Sequence, residues 1–230
     1  MPKTNLKYIF ETLEKEFYNW ETELNYSTPF QLLVAVILSA QTTDKQVNKV
    51  TSKFFDYVKN PQDVVNLWYE KREQMIKSVN YFRNKAKNIY KTAQILSEQK
   101  IKKNKSPSFS ILNFSIFNKY DYIIPYKLED LLKLPWVWEK TAKVILHILY
   151  NQPVVAVDTH VFRVVNKLWI VQTKSPLETS KLLEKILPLK YKKIAHHSLI
   201  YFGRYFCTAR KPKCDECKFT KICKYYSQKL

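Results

Sequence analysis

At 230 residues, with 46% hydrophobic and 26% charged side chains, the chain is long enough to bury one large core or two smaller ones. No apolar run approaches the ~18 residues that a bilayer-spanning helix needs, and Met1-Pro2-Lys3 is followed by no signal-peptide core, so the expected location is the cytoplasm. Thirty-nine basic against twenty acidic residues give a formal charge of +19, which favours a polyanion, nucleic acid above all, as partner; AT-rich coding is the alternative source of that charge, since Lys, Asn, Ile, Tyr and Phe are all plentiful.

The N-terminal stretch 3–18 places Leu6, Ile9, Phe10, Leu13 and Phe17 at helical spacing. Thr28-Pro29-Phe30-Gln31 supplies a cap, a proline at the first helical position and a glutamine three residues after the cap. The helix it starts, Phe30 to Leu38, is almost wholly apolar and is expected to be buried. Ser39 to Asp44 reads as a functional loop or a new cap, and helical periodicity resumes through Val47, Val50, Phe54 and Phe55. Further helices are predicted near Pro61–Leu67, Glu73–Val79 and Asn84–Glu98. Residues 101–120, rich in Lys, Ser, Asn and Phe without a period, read as a surface insertion. Short helices over Leu128–Leu134 and Glu139–Tyr150 follow, Ser175-Pro176-Leu177-Glu178 opens another to about Ile186, and Ile194–Phe206 is the last long one. Strand patterns are scarce, so the fold class is all-α.

Leu134 to His160 is the stretch the rest serves. It holds a tight turn, Lys140 just inside a helix, and Asp158 at the opening of the next. A helix N-terminus attracts anions and disfavours an ammonium. That placement suits an amine that must be partly neutral to attack carbon.

All four cysteines lie near the C-terminus, Cys207, Cys214, Cys217 and Cys223, spaced C-x6-C-x2-C-x5-C. In a basic, cytoplasmic chain they argue for metal rather than disulfides. Zinc is one reading, but its modules usually pair cysteines in two separate hairpins. One compact all-thiolate loop favours a cubane iron–sulfur cluster. Arg204, Arg210, Lys211, Lys213, Lys218 and Lys221 surround the loop and could face a phosphate backbone or offset the cluster's charge.

With these segments read, the chain resembles the endonuclease III family of DNA glycosylases, within the helix-hairpin-helix superfamily. The carriers are Glu23-Leu24-Asn25-Tyr26, Ser39-Ala40-Gln41, Leu134-Pro135 leading to Lys140-Thr141-Ala142, Val157-Asp158-Thr159-His160 and the four-cysteine loop. The resemblance implies a two-domain all-α fold, with a helical barrel domain over 22–152 and a cluster domain made of 1–21 and 153–230. It implies a [4Fe-4S] cluster on the four cysteines, and a base excision repair glycosylase with abasic-site lyase activity on oxidised pyrimidines. Lys140 would be the nucleophile and Asp158 the carboxylate that stabilises charge on the sugar or manages the lysine proton. Because the target nucleotide must be extruded, Gln41 would fill the gap and Tyr81 would act as the intercalating wedge, where the family more often has an aliphatic residue. Trp136, Val137, Trp138 and Thr141 would lie along the DNA phosphates. His160, His196 and His197 read as packing or polar-network residues. The implied partner is duplex DNA carrying a damaged base or an abasic site, bound by a nucleoid-associated monomer. The rival readings are a non-catalytic, cluster-bearing DNA-binding protein and an adenine-mismatch glycosylase; relatives of the latter kind lack the lysine.

One departure stands out. The family hairpin reads Leu-Pro-Gly-Val-Gly, and here it reads Leu134-Pro135-Trp136-Val137-Trp138. Such a turn wants positive φ and a close backbone approach to phosphate. Trp68 and Trp169 also fall where family members often carry glycine; Trp20 does not clearly do so. Gly203 is the only glycine, where average usage near 7% would supply roughly sixteen, and there are five tryptophans. The hypothesis that follows is a gene in which UGA codes for glycine, read here as tryptophan; genuine substitution in a drifting protein is the alternative.

Overall fold

A computed structural model describes residues 3–17, 22–98 and 120–228. Trp20 and all of the proposed insertion except Tyr120 lie outside them. Every regular element among the described residues is helical, and the chain divides into two compact units, residues 22–151 and residues 1–21 with 152–230.

Helix α1 (Lys3–Glu16) belongs to the second unit. The first unit is built on α2 (Pro29–Ser39), buried from Pro29 to Leu38. A helix apolar on every side can only be central, and α3 (Asp44–Tyr57), α6 (Phe82–Glu98) and α8 (Glu139–Tyr150) pack on it. Thr28 caps it as expected, accepting from Gln31 N–H at 3.1 Å. Gln31 is the one polar side chain in the buried run, and it is satisfied: its Oε1 accepts from Ser27 N–H (2.7 Å) and its Nε2 donates to Val58 O (2.8 Å). Between α3 and α6 stand α4 (Pro61–Asn66), closed by an Asn60/Asp63 capping box, and α5 (Tyr69–Ile76). The short α7 (Leu128–Leu131) precedes the turn into α8.

Helix α5 begins four residues earlier than its pattern suggests, because Arg72 is buried and its guanidinium donates to Val64 O at 3.0 Å and to Leu67 O. Periodicity alone marks an arginine as a solvent position. Helix α7 stops three residues short of the prediction, where Leu134 N–H turns back to Leu131 O.

The second unit packs α1, α9 (Thr159–Lys167), α10 (Pro176–Ile186) and α11 (Leu189–Tyr201) around Ile9, Phe10, Leu13, Val161, Val164, Val165, Leu183 and Leu199. Ser175 caps α10, accepting from Glu178 N–H at 3.2 Å, while the Glu178 carboxylate takes Lys174 N–H. Helix α11 starts earlier than predicted, at a Pro188 cap, because the LKYKK run hides its period, and the last turn before the cysteines widens into a π-turn over Phe202–Phe206. Gly203 lies there. A Cβ on it would come 3.0 Å from both His160 Cβ and Val164 Cγ2 and 3.2 Å from His160 O. This glycine serves close approach rather than a turn. Gly203→Ala is expected to lower stability by about 1–3 kcal/mol, read as a shift of the denaturant midpoint at unchanged slope.

A further short helix, α12 (Lys224–Ser227), closes the described chain. None of the described helices is long and apolar enough to cross a membrane.

Candidate functional site

In the first unit, Leu134 O accepts from Val137 N–H at 3.2 Å, with Pro135 and Trp136 between them and Trp136 at φ 64°. Proline second and a positive φ third make this a type II turn. Val137 is buried and anchors it, and Thr92 Oγ1 holds Pro135 O at 3.3 Å. Trp138 then serves as N-cap of α8 and makes no side-chain capping bond. Lys140 is the second residue of α8 and is exposed, whereas Thr141 next to it is buried. The neighbouring Glu139 has its Oε1 2.9 Å from Nζ of the buried Lys143.

Gln41 and Tyr81 are brought together in the same unit. Both have positive φ, 55° and 58°, and both are exposed. Asn80 joins their loops, its Nδ2 donating to Gln41 O and its N–H to Thr42 Oγ1. Beneath them lies Lys85, with none of its surface exposed. Its Nζ donates to Leu38 O (2.8 Å), Ala40 O (2.6 Å) and Thr42 Oγ1 (3.2 Å), holding the C-terminal end of α2 and the loop after it. Burial pushes its amine down to about 8. Sequence reading missed this lysine, yet a signal was there: Lys85 shares its helical stripe with Ile89, Thr92 and Leu96, all buried.

In the second unit, Asp158 caps α9, its Oδ1 accepting from His160 N–H and Val161 N–H at 2.9 Å each. Both bonds use one oxygen, so Oδ2 is left to do other work. His196 Nδ1 meets Ala156 O at 2.7 Å, and His160 Nδ1 meets Arg163 Nη2 at 3.3 Å, the network roles expected of them.

The four cysteines, seventeen residues from first to last, line one small open cavity with Leu168, Phe202, Phe206 and Pro212. Among the described residues no three His, Cys, Asp or Glu side chains converge as they would around a single metal ion. A cubane cluster binds each thiolate at a different iron, so four cysteines lining one shared cavity could hold it. Burial pushes the Cys207 thiol up to about 11 and raises Cys217 as well. Cationic iron would stabilise thiolates that the pocket by itself disfavours. Arg163 braces the loop from α9, its guanidinium donating to Gly203 O (2.6 Å) and Cys207 O (3.1 and 3.2 Å). Of the surrounding basic residues, Lys218 is paired with Glu16, while Arg210, Lys211, Lys213 and Lys221 are exposed.

Residues 34–189 match the model of the HhH-GPD superfamily of base excision DNA repair proteins, and residues 207–223 match the iron–sulfur binding domain of endonuclease III. The chain is 40% identical to endonuclease III of Rickettsia conorii over 95% of its length and 94% of the relative's. It is also 40% identical to that of Bacillus subtilis, over 96% and 93% respectively. Among solved structures, a trapped endonuclease III–DNA covalent intermediate superposes with a TM-score of 0.83 at 36% identity, covering 100% of this chain and 99% of that one. A thermostable thymine-DNA glycosylase, at 21% identity and a TM-score of 0.77, shares the fold. The helical fold, the hairpin before α8 and the [4Fe-4S] loop thus agree with these matches: the chain belongs to the endonuclease III family of helix-hairpin-helix base excision DNA repair proteins.

Proposed function

We propose that this DNA glycosylase and abasic-site lyase removes oxidised pyrimidines from duplex DNA, with Lys140 as nucleophile and Asp158 as its carboxylate partner. The observation that carries the reading is an exposed lysine in the first turn of α8, directly after the hairpin turn. The Lys140 amine attacks C1′ of the extruded nucleotide; the C1′–N bond breaks and the base leaves with its electron pair, to be protonated. The amine loses its protons as the sugar ring opens to an imine. Removal of a C2′ proton then expels the 3′ phosphate. Asp158 stabilises positive charge on the sugar or takes the lysine proton. Nothing in this sequence requires an electron. The cluster, when bound, supplies a covalent tie for the C-terminal loop.

Gln41 fills the gap left in the duplex and Tyr81 wedges beside it. The hairpin backbone, from residue 136 to Thr141, holds a phosphate. The +19 charge would keep such a monomer on the nucleoid. Borohydride trapping on a thymine-glycol duplex tests the reading: a covalent protein–DNA adduct is expected. Salt-sensitive binding without an adduct would favour a non-catalytic DNA-binding protein, and excision of adenine opposite 8-oxoguanine without strand cleavage would favour a mismatch enzyme.

Asp158→Asn separates catalysis from capping. Asparagine caps a helix about as well as aspartate, so the melting temperature should barely move while single-turnover excision falls by roughly 10²- to 10³-fold. Unchanged excision would leave Asp158 a cap and nothing more.

A further inference from the structure

We propose that the native residue at positions 136 and 169, and by extension at 68 and 138, is glycine, encoded by UGA codons that the source organism translates as glycine. Five described residues other than glycine have positive φ, and two of them are tryptophans, Trp136 at 64° and Trp169 at 61°. Each sits in a turn whose hydrogen bonds define its type. Trp136 is the third residue of the type II turn closed by Val137 N–H on Leu134 O, the position that calls for glycine. Trp169 ends α9: its N–H reaches Asn166 O at 3.1 Å, and Ile170 N–H reaches Val165 O at 2.8 Å. That pair of bonds is the Schellman motif, and its left-handed residue is usually glycine or, less often, asparagine. Helix α8 ends on such an asparagine, Asn151 at φ 48°.

The other two described tryptophans are N-caps, Trp138 of α8 and Trp68 of α5, and neither makes a capping bond. Glycine is a good N-cap, whereas large apolar residues are poor ones. Trp68, Trp138 and Trp169 are 79%, 69% and 45% exposed, unusual for a residue that is normally among the most buried. The single written glycine, Gly203, is the one held by packing in a helical turn. Tryptophan thus stands at helix ends and turns where glycine is otherwise missing.

Trypsin cuts after Lys133, Lys140, Lys167 and Lys174, so the peptides 134–140 and 168–174 carry the diagnostic positions. In protein from its native source, both should be lighter by the Trp-to-Gly difference, twice over in the first. The gene should carry UGA at 136 and 169. UGG codons there, or native peptides bearing indole, overturn the proposal. Recombinant chains give a second readout: one with glycine at 68, 136, 138 and 169 should melt roughly 5–15 °C above the tryptophan form. A lower melting point would likewise count against it.

A different observation, the buried ammonium under the Gln41 loop, supports a second inference, which rests on the gap-filling role read above. The geometry points to Lys85 as the positioning residue for Gln41. Three oxygens of residues 38–42 are held by its Nζ, and Asn80 holds Gln41 O from the facing loop. Gln41 is thereby kept at a φ that costs strain, before DNA arrives. In single-turnover trapping on a thymine-glycol duplex, Lys85→Met should be roughly 10- to 100-fold slower. It should add nothing to Gln41→Ala, and it should leave trapping on a single-stranded abasic site, which has no gap to fill, at the wild-type rate. Asn80→Ala, on an exposed loop, should give the same pattern and decides the matter if Lys85→Met does not fold. Multiplying defects in the double variant, or equal slowing on the single strand, would reduce the clamp to a structural role. Failure of the wild type to trap on either substrate would instead remove the functional reading beneath it.

Discussion

Lys140→Gln is expected to abolish the borohydride-trapped adduct and to lower strand cleavage by at least about 10³-fold. Glutamine is similar in length but has no amine that can form an imine, so the covalent route closes altogether. Lys140 is exposed in the first turn of α8, and exposed substitutions usually shift stability by no more than about 0.5 kcal/mol. Folding should therefore survive, and duplex binding should weaken by little more than one lost phosphate contact. Lys140→Arg sharpens the test, because it restores the charge without the nucleophile. If arginine restored cleavage, the lysine would be acting through its charge and the Schiff-base chemistry would be wrong. Melting curves on both variants would tell lost chemistry from lost fold.

Loss of the cluster should have the second largest effect, on the loop's order rather than on bond-breaking. Cys217→Ser removes one of the four thiols around the cavity, and the visible absorption of the iron–sulfur cluster should disappear on purification. Phe219, two residues on, is 2% exposed and packs edge-on against Phe202 at 5.3 Å and Tyr8 at 6.0 Å. Releasing its side chain alone forfeits about 1.5–3 kcal/mol. At roughly 2–4 °C per kcal/mol for a chain of this size, the melting temperature should fall by about 5–10 °C. Protease sites after Phe206 should open first. Trapping by the fraction that stays folded should continue, since Lys140 lies in the other unit and Asp158 is held by the α9 N–H groups of His160 and Val161 rather than by the loop. Unchanged melting and protease resistance would mean that protein packing alone orders the loop.

What the amino-acid order determined by itself was local. A Thr28 or Ser175 hydroxyl three residues before a free N–H, an apolar run such as Phe30–Leu38, and the all-α class are carried by neighbours within one turn of helix, so they can be read along the chain. The cysteine spacing belongs with them, because it counts residues and needs no coordinates. Element ends were less legible wherever a distant partner set them, as Arg72 does at α5 through Val64 O.

Only the tertiary structure decided which polar groups are buried and what they hold. Lys85 clamps oxygens more than forty residues away, and Arg163 braces carbonyls forty and forty-four residues on. In the sequence both are ordinary basic residues among thirty-nine. The same holds for the tryptophans. Composition raised the question, but the hydrogen bonds that close the turns at 136 and 169 show the left-handed backbone that glycine serves and an indole does not. Chemistry belongs to single residues, whereas burial and backbone sign depend on partners that only folding brings near.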